Sequence, residues 1–244
     1  MDLANIKAWV LKEGFPLEMR AAAEMRAAGF SVFQGRYYTD PDTAKAREID
    51  VLAIAEDNFG VFQFTLAVEC KSTQNGKPWL LFTSPDVYGG YNRLRGMGLF
   101  SQRLGQVLAS RVLDLSDNVS WFIPVRPVAY SLRQAHTQRL DVAHAAVSSC
   151  FAAGVSTALS GSGGGWRFCV PVLVVDAPLL TVSLGKTEEL VVEEIDHGLL
   201  LHSPGQQGCL VHVVAAAVLP RCASEAYHAF GQLKTLLSKE IDAE

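Results

Sequence analysis

The segment REIDVLAIAEDNFGVFQFTLAVECKST, residues 47–73, predicts two apolar β-strands joined by a tight turn at residues 59–60. Side chains alternate between the two faces of a strand, so Glu69 and Lys71 point the same way. With a two-residue turn, Asp50 lies directly opposite Glu69 on that face, with Cβ atoms about 5 Å apart. The hairpin is therefore predicted to bring two carboxylates and one ammonium group together in an apolar setting.

The chemistry of this predicted cluster has two interpretations. The strand IDVLAIA is apolar on both faces, as expected for a strand that is covered on both sides. An Asp beside a Glu there suffers like-charge repulsion and loss of hydration. Lys71 neutralises one carboxylate, whereas Mg²⁺ would neutralise both, because this ion binds one or two carboxylates together with water and substrate phosphate. The same residues also fit an exposed ion pair on a solvated strand face, with Asp50 as a second partner.

Length and composition narrow the class of protein. The 244 residues are 49% apolar and 19% charged, which indicates a globular chain with a sizeable core and argues against disorder. Five cysteines without C-x-x-C spacing argue against a disulfide framework and a zinc site, and indicate reduced thiols in a cytoplasmic protein. We find no signal peptide and no apolar run long enough to span a bilayer, so no membrane association is expected.

Helical and strand-like patterns alternate along the chain. The predicted helices cover residues 16–30, 91–113, 136–159 and 223–241, and further strands are predicted at 30–38 and in WRFCVPVLVVD, ELVVEEI and GCLVHVVAAAVL. This pattern predicts an α/β protein with a mixed central β-sheet flanked by helices. A Gly/Ser run at 160–165 could link two domains, but the remaining stretch of about 80 residues is short for a second domain. A single domain over residues 1–244 is therefore the simpler prediction.

The order of these features suggests a family. A helix with Glu18 in PLE ends at GF, a strand follows, then REID with Asp50, and then VECK with Glu69 and Lys71. Over residues 16–73 this series resembles the PD-(D/E)xK, or restriction-endonuclease-like, nuclease superfamily. The resemblance implies a restriction-endonuclease-like core, with the active-site part at about 16–113. It also implies a metal-dependent nuclease that hydrolyses phosphodiester bonds, with DNA as the expected substrate and RNA left open.

The resemblance also implies roles for individual residues. Asp50 and Glu69 would ligate Mg²⁺, for which Mn²⁺ is expected to substitute, and the backbone carbonyl of Cys70 would be a further ligand. Lys71 would act on the attacking water or on the transition state. Glu18 would assist the metal through water.

The chain departs from the family pattern at three points. Ile49 stands where the family name has proline before Asp50, and Gln102 and Gln106 lack a tyrosine four residues on. The net charge of −4, with the acidic excess in the second half, argues against strong nonspecific binding to DNA. Glu24 on the first predicted helix is the rival to Glu18, which fits the family spacing better.

Residues for nucleic-acid binding are predicted near the hairpin. The arginines that could contact phosphates are Arg36, Arg47, Arg93 and Arg95. The aromatic residues that could stack on bases, or simply pack, are Tyr37, Tyr38, Trp79 and Tyr91. The alternative hypothesis is a catalytically inactive nuclease-fold protein that acts as a protein- or nucleic-acid-binding module. A homodimer or a partner protein is also left open, and the sequence does not decide whether a partner supplies the basic surface that this chain lacks.

Overall fold

The computed structural model describes most of the chain as helices and strands. The described residues are 2–73, 76–85, 96–111, 119, 121, 128–137, 141–159, 165–204 and 208–241. Their helices are α1 (Leu3–Lys12), α2 (Phe15–Ala28), α3 (Gln102–Ser110), α4 (Asp141–Leu159), α5 (Leu219–Leu236) and α6 (Ser238–Ile241). A 3₁₀ helix covers Ala216–Val218.

The described strands are β1 (Ser31–Thr39), β2 (Ala46–Glu56), β3 (Phe62–Lys71), β4 (Trp79–Thr83), β5 (Leu99–Phe100), β6 (Val128–Gln134), β7 (Trp166–Val175), β8 (Leu179–Leu184), β9 (Leu190–Ile195), β10 (His197–His202) and β11 (Cys209–Ala215). They form one sheet in the order β1-β2-β3-β7-β11-β10-β6-β4-β8-β9, with β5 also paired to β7. Strands β1, β2 and β3 are antiparallel neighbours, whereas β3–β7 and β7–β11 are parallel. The predicted mixed sheet flanked by helices is confirmed, and it joins strands from both halves of the chain.

The central hairpin has the predicted register but a longer loop. The β2–β3 ladder pairs Val51 with Val68, which is the alignment expected from the sequence. Five residues rather than two separate the strands, so the predicted two-residue turn is wrong. The carboxylate of Asp57 accepts hydrogen bonds from the backbone N–H groups of Phe59 and Phe62, at 3.2 and 2.8 Å. Because these bonds satisfy the loop backbone, the longer connection closes without a register shift.

The sheet buries its two faces against different helices. On one face, alternate residues of β3 from Phe62 to Cys70 pack with α2 and α5. On the other face, Ala67 packs with α4, which is rich in alanine and so approaches the sheet closely. The parity predicted for β3 is therefore confirmed. The first turn of α2 and the middle of α4 therefore lie against the C-terminal end of β3, on opposite faces of the sheet.

Two predicted helices begin later than expected. Strand β5 interrupts the helix predicted at 91–113, because Leu99 and Phe100 pair with β7, and α3 starts only at Gln102. Residues 91–95, 112 and 113 of that prediction lie outside the described residues. The helix predicted at 136–159 starts at Asp141, since His136 has a positive φ of 55° in a turn.

Helix α4 tests the prediction that no stretch could span a membrane, and the cysteines test the prediction that no disulfide forms. The window Val142–Leu159 is long and apolar enough to cross a membrane, with a mean hydropathy of 1.4, so the prediction that no such stretch exists is wrong. Half of that window is buried inside the structure, where the helix packs as a core helix on the sheet. All five cysteines are described and buried, and none forms a disulfide.

Candidate active site

The side chain of Asp50 lies where strands β2 and β3 part. The backbone ladder ends at Val51 and Val68, and beyond that end the N–H of Cys70 donates to Asp50 Oδ2 at 2.7 Å. The N–H and C=O of one strand residue point toward the same neighbouring strand. The carbonyl oxygen of Cys70 therefore faces the same gap as the Asp50 carboxylate.

Glu69 is held at both of its carboxylate oxygens. Lys71 Nζ donates to Oε1 at 2.7 Å, and the hydroxyl of Ser149 on α4 donates to Oε2 at 2.9 Å. The hydroxyl of Tyr38 on β1 donates to the backbone carbonyl of Ser149 at 3.3 Å, which links a third element to the cluster. Only 8% of the Glu69 side chain is exposed, so the two direct donors stabilise its charge where water cannot.

A glycine leaves room beside Asp50. The β1–β2 register on either side places Gly35 opposite Asp50, and its φ of +59° is one that residues with a side chain rarely adopt. A Cβ atom on Gly35 would lie 2.9 Å from Oε1 of Glu48. The glycine therefore permits both the backbone bend and the close approach of a further carboxylate.

Glu18 reaches the cluster from the start of α2. This helix begins after Gly14, where an added Cβ would lie 3.8 Å from the Cβ of Ser72 at the end of β3. Burial raises the pKa of Glu18, the Asp50 carboxylate raises it further, and the charge of Lys71 partly offsets both. Glu18 is therefore electrostatically coupled to the hairpin residues, whereas Glu24 lies nearly two turns further along the helix.

The carboxylates of the cluster hold their protons more tightly than usual. Burial raises the pKa of Asp50, although the Cys70 N–H and Lys71 lower it, and Glu48 adds repulsion. Burial raises the pKa of Glu69, and the charge of Asp50 raises it further. Burial is the largest single effect and would lower the pKa of Lys71, but the attraction and hydrogen bond of Glu69 together with the charge of Asp50 outweigh it, and the pKa is raised. Lys71 is thus a cation at neutral pH, surrounded by an excess of carboxylates.

The donor set fits a hard divalent cation. Asp50, Glu69 and the Cys70 carbonyl offer oxygen atoms, which Mg²⁺ prefers, and a positive ion would offset the burial and the nearby negative charges that raise both carboxylate pKa values. Burial raises the pKa of the Cys70 thiol well above its usual value, so the thiolate is not available as a ligand. In the described part of the chain, no group of three or more His, Cys, Asp and Glu side chains could hold a metal alone. Water or substrate oxygens would have to complete the coordination.

Comparison with family models, curated proteins and solved structures finds no match to this chain. A function for the cluster is therefore inferred from its own residues.

The predicted phosphate-binding arginines differ in their surroundings. Arg36 is exposed, and its guanidinium carbon lies 5.0 Å from the centroid of the Phe33 ring. Arg47 forms an ion pair with Asp40 at 2.6 Å, which reduces the charge that it can offer to a phosphate. The other two predicted contacts, Arg93 and Arg95, lie outside the described residues.

The residues predicted to stack on bases also differ in their exposure. Tyr37 is exposed, so it is free to meet a base, whereas Trp79 is buried in the core and its ring nitrogen donates to Thr73 Oγ1 at 3.1 Å. Tyr38 is half-buried and bonded to the carbonyl of Ser149. Tyr91 lies outside the described residues. Packing therefore accounts for Trp79 and Tyr38.

Two residues next to the cluster carried no signal in the sequence. Ser149 bonds Glu69 across 80 positions of the chain, and Asp176, just after β7, accepts bonds from the Ser72 hydroxyl and the Thr73 N–H at 2.5 and 2.6 Å. The second pair of bonds fixes the chain directly after Lys71. Neither residue belongs to a recognisable local motif, so only the packing of α4 and β7 against β3 reveals them.

Proposed function

We propose that the protein is a metal-dependent nuclease that hydrolyses phosphodiester bonds, with DNA as the expected substrate. The observation that carries this proposal is the convergence of Asp50, Glu69, Lys71 and the Cys70 carbonyl at one end of β3. The order of elements supports it, since a helix with Glu18 precedes one strand, then the strand with Asp50, then the strand with Glu69 and Lys71. We accordingly propose a restriction-endonuclease-like core and a cytoplasmic setting.

In this proposal, Asp50 and Glu69 bind the cation together with the Cys70 carbonyl. Bound Mg²⁺ would supply Lewis acidity toward a phosphate oxygen and lower the pKa of a bound water. The hydrogen bond from Cys70 orients the Asp50 carboxylate, and the bond from Ser149 orients Glu69. Both acidic side chains are thereby fixed before a ligand arrives, which lowers the cost of ordering them.

Lys71 has the charge of a phosphate-stabilising group rather than of a base. Its pKa is raised, so at neutral pH it carries its proton and cannot accept another one. A positive ammonium group beside the cleft would instead stabilise the negative charge that develops on the phosphorus oxygens. Glu18, whose raised pKa favours retention of a proton relative to an ordinary glutamate, would contact the metal through water.

Ser149→Ala tests the role assigned to the bond on Glu69. Loss of a group that orients a metal ligand typically lowers metal affinity or activity by 10–100-fold, and we expect about tenfold weaker Mg²⁺ binding. The pKa of Glu69 should rise further, because the Ser149 hydroxyl now lowers it. Isothermal calorimetry with Mg²⁺ measures the first effect. Ser148→Ala, one residue earlier on α4, is the matched control, and equal affinities in the two variants would contradict the role.

A cleavage assay tests the proposed function itself. Purified protein with Mg²⁺ should nick supercoiled plasmid or degrade linear DNA, EDTA should stop the reaction, and Mn²⁺ should restore it. Glu18→Gln should slow cleavage, whereas Glu24→Gln on the same helix should not. RNA digested in parallel decides between the two polymers. Absence of both cleavage and Mg²⁺ binding, together with a protein that co-purifies, would instead support the interaction module.

A further inference from the structure

A groove runs along the outer face of α5, away from the carboxylate cluster. Its volume is about 820 Å³, within the range of cavities that hold small organic ligands. Six residues on one face of α5 form its floor: Tyr227, His228, Gly231, Gln232, Thr235 and Leu236. Arg111, just after α3, and Ser238 and Lys239 on α6 form its walls. We call this site the α5 groove.

The α5 groove and the proposed active site lie near opposite ends of α2. A Cβ atom on Gly29, which follows the last residue of α2, would lie 2.8 Å from the Tyr227 ring. Glu18 lies in the first turn of the same helix, roughly 16 Å away along its axis. A ligand in the α5 groove would therefore not be the phosphodiester that the carboxylate cluster is proposed to cleave.

Gly231 leaves the floor of the α5 groove open. It lies inside α5, where a glycine is less favourable than an alanine. A Cβ atom added to Gly231 would meet no described atom within 4 Å, so close packing does not require a glycine there. The neighbouring Phe230 and Leu233 point into the core instead. The missing side chain therefore adds space to the groove and does nothing for the packing of the helix.

The walls of the α5 groove are positive, although the chain as a whole is negative. None of the nine described residues that line the groove is acidic, whereas the chain has 25 acidic and 21 basic residues. The Lys239 side chain is exposed in the groove, and the guanidinium of Arg111 is held at the wall by an ion pair with Glu240. Gln232 and Ser238 add neutral hydrogen-bond donors. This set of groups favours an anion with several acceptor oxygens.

The floor of the groove also has an aromatic part. The Tyr227 ring is 36% exposed and meets the Phe30 ring edge to face, with centroids 5.2 Å apart and planes at 82°. This contact fixes the ring, so its exposed part is a firm surface for a flat group of a ligand. Because the groove is much larger than a phosphate ion, it has room for both an anionic group and a ring.

We propose that the α5 groove binds a small organic phosphate that carries a flat ring, with the size and chemistry of a nucleoside monophosphate. A phosphate monoester has a charge of about −1.5 to −2 at neutral pH and three acceptor oxygens, which the donors of Lys239 and Arg111 would bind. The base would lie against Tyr227. The proposal does not depend on the proposed nuclease activity, because the two sites share no residue.

Three related compounds test the chemistry of the ligand. Adenosine 5′-monophosphate (AMP) should bind the native chain at least about tenfold more tightly than adenosine, which lacks the phosphate, or ribose 5-phosphate, which lacks the base. Isothermal calorimetry measures the three affinities. The buffer contains EDTA, so that no divalent ion can bridge AMP to the carboxylate cluster.

A lysine substitution tests the wall of the groove. Lys239→Ala should weaken AMP binding about tenfold and leave adenosine binding unchanged, because it removes a charge-assisted contact to the phosphate alone. Lys234→Ala is the matched control on α5. The Lys234 ammonium group donates to Asn58 and does not line the groove, so this variant should bind AMP as the native chain does.

Glycine substitutions test the floor. Gly231→Leu should fill the groove and abolish AMP binding, whereas Gly231→Ala should still bind AMP. Both residues favour a helix more than glycine does, and open space surrounds the position, so both variants should keep or raise the melting temperature. Loss of binding in Gly231→Leu is then not a result of unfolding.

Three results would each overturn the inference. The first is no detectable binding of AMP at millimolar concentration. The second is AMP binding no tighter than that of adenosine or of ribose 5-phosphate. The third is AMP affinity that is unchanged in Gly231→Leu, or that falls equally in Lys239→Ala and Lys234→Ala. Cleavage of DNA has no bearing on any of them, so failure here and failure of the nuclease proposal are distinguished.

Discussion

Asp50→Asn should lower the rate of cleavage by about 10²–10³-fold while leaving the fold intact. The amide keeps an oxygen that can accept the Cys70 N–H, but it removes the negative charge that a cation needs. A metal ion at a phosphoryl oxygen contributes several kcal/mol to transition-state stabilisation, and each 1.36 kcal/mol corresponds to a tenfold change in rate. The loss is measured in single-turnover plasmid cleavage at saturating Mg²⁺.

The same substitution should stabilise the folded protein in the absence of metal. The folded-state pKa of Asp50 is raised above its ordinary value of 3.8, so its ionised form costs free energy of folding at every pH above the raised value. Removal of the charge should increase stability at pH 8 by about 1 kcal/mol, or about 2–4 °C in melting temperature. The gain should shrink as the pH falls through the raised pKa, and it should vanish below 3.8 because Asp50 is then protonated in both states.

Asp57→Asn is the matched control on the same hairpin. The Asp57 carboxylate bonds two backbone N–H groups in the loop, so its replacement should lower stability and leave cleavage unchanged. Mg²⁺ gives a second comparison between the native chain and Asp50→Asn, because a ligand at ten times its Kd stabilises the protein that binds it by roughly 1.4 kcal/mol. Mg²⁺ should raise the melting temperature of the native chain but not of Asp50→Asn. Loss of stability in Asp50→Asn without loss of activity would contradict the proposed role and indicate a structural ion pair.

The part of the site that the sequence predicts is the part built from local contacts. Alternation along β3 places Glu69 and Lys71 on one face, and the hairpin brings Asp50 to them within about twenty residues of chain. Both effects depend on the two-residue period of a strand and on the register of one turn. Glu18 is implied by the resemblance to the nuclease superfamily rather than by a local pattern, and its electrostatic coupling to Asp50 agrees with that prediction.

The remaining features depend on contacts between distant parts of the chain. The loop is longer than predicted because the Asp57 side chain caps it, which an apolar pattern does not record. Helix α4 delivers Ser149 to Glu69 only because the chain returns to pair β7 beside β3. The sequence predicts a helix where β5 lies, because the two residues of β5 gain their pairing from β7 and not from neighbours in sequence. Such packing overrides local propensity.

Lys71→Met should reduce cleavage by a factor similar to that of Asp50→Asn, but it should have the opposite effect on stability. Methionine fills the volume of the lysine stem without its charge, so the positive group opposite the developing phosphate charge is lost. Among the residues that the structure describes, Ser149 is then the one side-chain donor left to the buried Glu69. We expect a loss of about 1–3 kcal/mol at pH 8, because an unpaired buried charge remains.

The pH dependence of that loss follows from Glu69. Lys71 now lowers the pKa of Glu69, so its removal raises a value that burial and Asp50 have already raised. A protonated Glu69 needs no cation, and the destabilisation of Lys71→Met should therefore fade as the pH falls through the raised pKa. Denaturant titrations at a series of pH values, with ¹³C NMR of the Glu69 carboxyl group, measure both effects.

Lys71→Arg separates the cationic role from that of a base. Arginine keeps the charge but cannot lose its proton, so this variant should cleave at least about tenfold faster than Lys71→Met if Lys71 acts as a cation. If Lys71→Arg and Lys71→Met were equally inactive, Lys71 would instead act as a base that must lose its proton.

A double-mutant cycle adds a second test of the shared site, because Asp50→Asn should stabilise the Lys71→Met variant more than it stabilises the native chain. Without the lysine, the repulsion between Asp50 and Glu69 is less compensated. The change in unfolding free energy of the double variant should therefore differ by about 1 kcal/mol from the sum of the two single changes.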